Sequence, residues 1–133
     1  MEKLLLVDDE KFFVDMLAER LTAKGFQIVE AYDGKEGFEK AHAEMPDLIV
    51  LDVMMPEMNG FDVCRKLKLD AKMKDIPVIM LTAKFQPNDV DFGKEMGADA
   101  YLTKPVELDA LLHKVKALLR VKRMKFHKPK DNK

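Results

Sequence analysis

Asp47-Leu48-Ile49-Val50-Leu51-Asp52 sets four consecutive apolar residues between two acids. An apolar run without polar alternation is what a strand covered on both faces requires. Leu4-Leu5-Leu6-Val7 is a second such run, and it closes on Asp8-Asp9. Carboxylates at the ends of two parallel strands lie together at one rim of the sheet, the rim where open α/β sheets bind their ligands. Two carboxylates ~4 Å apart repel by about 4 kcal/mol at an effective dielectric of 20. Gathering three therefore asks for a compensating cation.

Working outward, three more runs have strand character: Gln27–Ala31, Val78–Leu81 and Ala100–Leu102. Segments of helical period separate them. Phe13, Met16, Leu17 and Leu21 form the first, which stops at Gly25; Asp33-Gly34 then turns into a helix carrying Phe38 and Ala41 and ending before Pro46. Asn59-Gly60 opens a third helix with Phe61, Cys64 and Leu67 inward. A weakly apolar fourth follows Pro87-Asn88 (Val90, Phe92, Met96) and ends at Gly97. The last, from about Glu107, has the strongest stripe, through Leu108, Leu111, Leu112, Val115, Leu118 and Leu119. Alternation of this kind predicts an α/β domain, a doubly wound (βα)5 with a five-stranded parallel sheet and helices on both faces.

A chain of 133 residues, 47% hydrophobic and 35% charged, fits one such domain. No apolar stretch approaches the roughly 20 residues that cross a bilayer, so no membrane insertion is expected. The single cysteine, Cys64, excludes an internal disulfide framework and agrees with a reducing cytoplasm; at helical spacing from Phe61 and Leu67 it reads as a buried structural thiol. His42, His113 and His127 fall at no metal-ligand spacing and are expected to be exposed. The net charge of −1 conceals an asymmetry. Residues 120–133 hold seven basic side chains against Asp131, a net +6, which leaves −7 on the rest. A domain over 1–120 followed by a basic tail or linker start over 121–133 is the expected division. With only Phe126 as an aromatic and no recognisable binding module, nucleic-acid contact by this domain itself is not expected.

Asp8, Asp9 and Asp52 supply hard oxygen ligands, which suit Mg²⁺, with Mn²⁺ able to substitute, and no His/Cys set exists for zinc. Thr82 follows the fourth strand and Lys104 the fifth, at the same rim. A hydroxyl and an ammonium opposite a metal-carboxylate cluster can bind the oxygens of a phosphoryl group in transfer, where catalysis is mainly positioning and charge stabilisation. In isolation each residue has an ordinary role: Asp8-Asp9 as a turn or cap, Lys104 as a surface lysine, Tyr101 as a half-buried strand aromatic.

Taken in order, Val7-Asp8-Asp9-Glu10, Asp52-Val53-Met54-Met55-Pro56-Glu57-Met58-Asn59-Gly60, Leu81-Thr82-Ala83, Gly97-Ala98-Asp99-Ala100-Tyr101 and Lys104-Pro105 make a specific set. With them the chain resembles a response-regulator receiver domain of the chemotaxis-regulator type, the phospho-acceptor module of two-component signalling, over residues 2 to about 120. The resemblance implies the flavodoxin-like strand order 2-1-3-4-5. It implies that Asp52 takes a phosphoryl group from the phosphohistidine of a histidine kinase or phosphotransfer protein, as a signalling module and not an enzyme acting on other substrates. It implies Mg²⁺ held by Asp8, Asp9, Asp52 and the backbone carbonyl of Met54, phosphoryl contacts from Thr82 and Lys104, and a cis Lys104-Pro105 bond. A switch through Thr82 and Tyr101 would alter the face of the fourth helix, fifth strand and fifth helix, for partner binding or homodimerisation. Met54 and Lys84 stand where the family tunes phosphate lifetime, and neither is a carboxylate or amide, so slow self-dephosphorylation is expected. Met54, Met55 and Met58 flank the acceptor as candidate parts of a kinase-docking surface.

An aspartyl-nucleophile phosphohydrolase is the alternative, and it would want a second acid two residues after Asp52, where Met54 stands. A flavin carrier on the same sheet would need a phosphate loop after the first strand, and Asp8-Asp9-Glu10 would repel the phosphate. Neither a Gly-x-x-x-x-Gly-Lys loop nor a Gly-x-Gly-x-x-Gly fingerprint is present.

Overall fold

The apolar runs form β1 (Lys3–Val7), β2 (Gln27–Ala31), β3 (Leu48–Asp52), β4 (Val78–Thr82) and β5 (Ala100–Thr103) in a computed structural model that describes residues 1–83 and 97–126. All pairs are parallel, and the order is β2-β1-β3-β4-β5. Among the described residues four helices accompany them: α1 (Lys11–Ala23), α2 (Gly34–Glu44), α3 (Gly60–Leu69) and α4 (Leu108–Phe126). The predicted helix between Pro87 and Gly97 lies outside the described residues, as do Lys84 and the tail from His127 onward.

Successive strand side chains point to opposite faces, and each face is covered. Leu4, Leu6, Val50, Ile79 and Leu81 pack with Val14, Leu17 and Leu21 of α1 and Leu111, Val115 and Leu119 of α4. Leu5, Val7, Ile49, Leu51 and Met80 pack on the other face with Ala41 of α2 and Val63, Cys64 and Leu67 of α3. The central strands β1, β3 and β4 are almost wholly buried, which is why their sequences show runs instead of alternation. Burial pushes the Cys64 thiol up to about 11, as befits a structural cysteine. His42 and His113 are exposed.

Local chemistry sets the helix starts that aim loops at the rim. Asp33 caps α2 by accepting from the Glu36 N–H at 2.7 Å, and Glu36 returns the favour by accepting from the Tyr32 N–H at 2.8 Å. Asn59 caps α3 by accepting from the Asp62 N–H at 3.0 Å, a contact worth about 1 kcal/mol. The basic segment after residue 120 begins as a continuation of α4, which runs as helix through Phe126. That extension is tied down by an Arg123–Glu2 ion pair and by Lys122 donating to the Asp47 carbonyl at 3.3 Å.

Candidate phosphoryl-acceptor site

The register brings the acids together. Val7 pairs with Leu51, so Asp8 and Asp52 stand side by side one residue further on. The strands run one residue past the apolar stretches: Asp52 is the last residue of β3 and Thr82 of β4. The ladder extends beyond them through Val53 N–H to the Leu81 carbonyl (2.8 Å) and Lys104 N–H to the Thr82 carbonyl (2.7 Å). Asp8, Asp9 and Asp52 each offer a carboxylate oxygen, and these oxygens lie within 4.8 Å of one another. Asp8, Asp52 and Thr82 are buried, while Asp9 is exposed at the rim.

Lys104 reaches over β4 to this cluster. Its Nζ lies 2.8 Å from Asp8 Oδ2, 3.0 Å from Glu10 Oε1 and 3.3 Å from Asp52 Oδ1. It also sits 4.7 Å from the centre of the Phe13 ring. The Lys104-Pro105 peptide bond is cis. Burial raises the Asp52 pKa to about 6; the charge of Asp8 adds to the rise, and Lys104 offsets only part of it. Asp8 is likewise held above its ordinary value, chiefly by burial, against the opposing Lys104 hydrogen bond and a 2.9 Å bond from the Glu10 N–H. For Lys104, burial disfavours the charged form, but the bonds to Asp8 and Glu10 and the charge of Asp52 outweigh it and raise its pKa. Among the described residues the site is thus an acid cluster short of positive charge, with Lys104 against four carboxylates. Buried, hard, closely spaced oxygens with an exposed member open to solvent fit a divalent cation that keeps some of its water.

Gly60 closes the site from below. A Cβ there would meet the Asp52 carbonyl oxygen at 2.1 Å, and the Gly60 N–H bonds the Val53 carbonyl at 2.9 Å. This close approach pins the β3–α3 loop against the acceptor strand. Met54 is 70% exposed beside that loop. The three methionines are not equally accessible: Met55 is buried in the core under α3, Met58 is half-buried against it, and Met54 is exposed. The loop folds Met55 inward because its neighbours on both sides are anchored, at Val53 and at the α3 cap. Tyr101, in register with Met80, packs against the core that holds Met80.

Two contributors escaped the sequence reading. Glu10 and Phe13 both touch Lys104, yet nothing local in Glu10-Lys11-Phe12-Phe13 distinguishes them from a helix start. The signal available was indirect, since Glu is a poor residue for the N-cap of α1.

The sequence matches the response regulator receiver domain profile over residues 4–116. This chain belongs to that family. As a receiver it is 44% identical over 119 residues to the alkaline phosphatase synthesis transcriptional regulatory protein PhoP of Bacillus subtilis (strain 168), covering 90% of this chain and 49% of that protein. It is 42% identical over 120 residues to the DNA-binding dual master transcriptional regulator RpaA of Synechocystis, covering 90% and 50%. Chemotaxis protein CheY4 of Vibrio cholerae superposes with a TM-score of 0.85 at 33% identity, over 89% of this chain and 98% of that one. The receiver thus spans about half the length of the curated relatives it matches. Among the described residues, no helix is long and apolar enough to cross a membrane.

Proposed function

We propose that Asp52 is the phosphoryl acceptor of a two-component system, taking its phosphate from the phosphohistidine of a histidine kinase or phosphotransfer protein. An Asp52 carboxylate oxygen attacks phosphorus; the P–N bond breaks, and its electron pair stays on the imidazole nitrogen. The observation that carries this reading is the buried Asp52 carboxylate gathered with Asp8 and Asp9 on one side and Lys104 on the other. Asp8, Asp9, Asp52 and the Met54 carbonyl would hold Mg²⁺, which neutralises charge developing on the phosphoryl oxygens. Lys104 and Thr82 bind those oxygens and orient the group for in-line attack.

Although raised, an Asp52 pKa of about 6 still leaves the carboxylate mostly ionised, and so nucleophilic, at neutral pH. Thr82 then follows the phosphate, and Tyr101 takes up the space it leaves, a local charge biasing a two-state element. The altered face, built on β5 and α4, presents the output to a protein target, an effector domain or a second copy. The module acts on itself alone, and the phosphohydrolase alternative lacks its general acid, since Met54 has no proton to give. A cytoplasmic site of action suits the lone reduced thiol.

The test is Mg²⁺-dependent labelling with acetyl phosphate, read by intact mass. Wild type should gain one phosphoryl group, and Asp52→Asn none. Absence of an adduct in wild type, or its persistence in Asp52→Asn, would refute the assignment.

A further inference from the structure

An ammonium group has three N–H donors, and three carboxylates surround that of Lys104: Asp8 at 2.8 Å, Glu10 at 3.0 Å and Asp52 at 3.3 Å. The Phe13 ring covers a further side. Hydrogen bonds run to Asp8 and Glu10, while Asp52 stands as an ion-pair partner, so an anion arriving at Lys104 competes with these carboxylates. They are not equivalent. The Asp8 and Asp52 side chains are each 4% exposed and belong to the cluster that suits a cation; the Glu10 side chain is 65% exposed and stands outside that cluster. A carboxylate that is mostly solvated loses least when its ion pair breaks, so Glu10 is the cheapest partner to remove. Glu10 is also the N-cap residue of α1, yet its side chain makes no capping bond. Its carboxylate is turned to Lys104 instead of to the helix.

We infer that Glu10 is a positioning residue acting through Lys104: its carboxylate occupies the place on the ammonium that a phosphate oxygen takes, and withdraws when an anionic phosphodonor binds. The inference rests on the reading of Lys104 as a phosphoryl contact. Glu10 holds the ammonium in position at the rim while no phosphate is present, and it restrains entry to the same degree. No covalent bond of Glu10 changes; one carboxylate oxygen gives way to another oxygen anion on the same N–H.

The experiment compares wild type with Glu10→Gln at saturating Mg²⁺, in the presence and absence of Lys104. Two quantities are read: affinity for inorganic phosphate by NMR titration, and the second-order rate of adduct formation with acetyl phosphate. With Lys104 present, Glu10→Gln should raise both, roughly two- to fivefold, as expected for losing an exposed ion pair. In a Lys104→Met background the same substitution should change neither. Where that background does not fold, Lys104→Arg serves: five donors exceed the three carboxylates, so the gain should shrink. Unchanged or weaker phosphate binding by Glu10→Gln overturns the inference. So does an equal gain without Lys104, which would mark a general charge effect. If wild type takes no phosphoryl group, the acceptor reading fails by itself, and the phosphate titration still decides the role of Glu10.

Discussion

Replacing Asp52 with Asn should stabilise the protein at neutral pH when divalent cations are removed. The folded state raises the Asp52 pKa from 3.8 to about 6, because burial and the Asp8 charge together outweigh Lys104. A rise of about 2 units, at 1.36 kcal/mol each, sets the cost of the ionised carboxylate at up to about 3 kcal/mol. Between pH 3.8 and about 6, the folded chain holds a proton on Asp52 that the unfolded chain has released. Stability therefore falls as pH rises through that window, and the deficit is complete above it. Asn keeps the shape and carries no charge. Urea unfolding in EDTA at pH 7.5 should give Asp52→Asn a gain of up to about 3 kcal/mol, shrinking below about 1 kcal/mol near pH 4. Adding Mg²⁺ should narrow the gap, since the cation binds the wild-type folded state and stabilises it by mass action. An Asp52→Asn protein no more stable than wild type at pH 7.5, or a gain independent of pH, would refute the charge-deficit account.

Two further outcomes are expected. Gly60→Ala should lower stability by about 1–3 kcal/mol despite the better helix propensity of Ala, because a backbone oxygen 2.1 Å from the new Cβ cannot yield cheaply; it should also weaken Mg²⁺ binding by displacing Asp52, and calorimetric titration beside thermal unfolding checks both. The aspartyl phosphate should be long-lived, since the exposed Met54 offers no group to orient an attacking water; a half-life of seconds in purified protein with Mg²⁺ would contradict this.

The elements were legible where burial is written into local pattern. The three central strands are buried on both faces, and their apolar runs announced it. The ladders of β3 and β4 run one residue past these apolar runs, to Asp52 and Thr82, because a polar side chain ends an apolar run but not a backbone ladder. Met54, Met55 and Met58 all flank the acceptor, and sequence position alone does not tell which of them faces solvent. The anchored loop then turned Met55 into the core and left Met54 outside. Nothing local in Gly97-Ala98-Asp99-Ala100-Tyr101 marks Asp99 as a structural tie. In the fold its Oδ2 accepts from the Val78 N–H at 2.8 Å and pairs with Lys68 at 3.1 Å, joining β4, β5 and the end of α3.

The sequence by itself determined the alternation of strands and helices and the location of Asp8, Asp9, Asp52, Thr82 and Lys104 at strand ends. Those features follow from which residues exclude water and in what order they come. Only the tertiary structure decided what the residues do to one another. Lys104 meets Asp8 and Glu10 across 96 and 94 residues of chain. It does so because the strand order and register bring β5 to the rim where β1 and β3 end. The raised pKa of Asp52 is likewise a property of burial and neighbours. Pairing, desolvation and close approach are non-local, so they exist only once the sheet has formed.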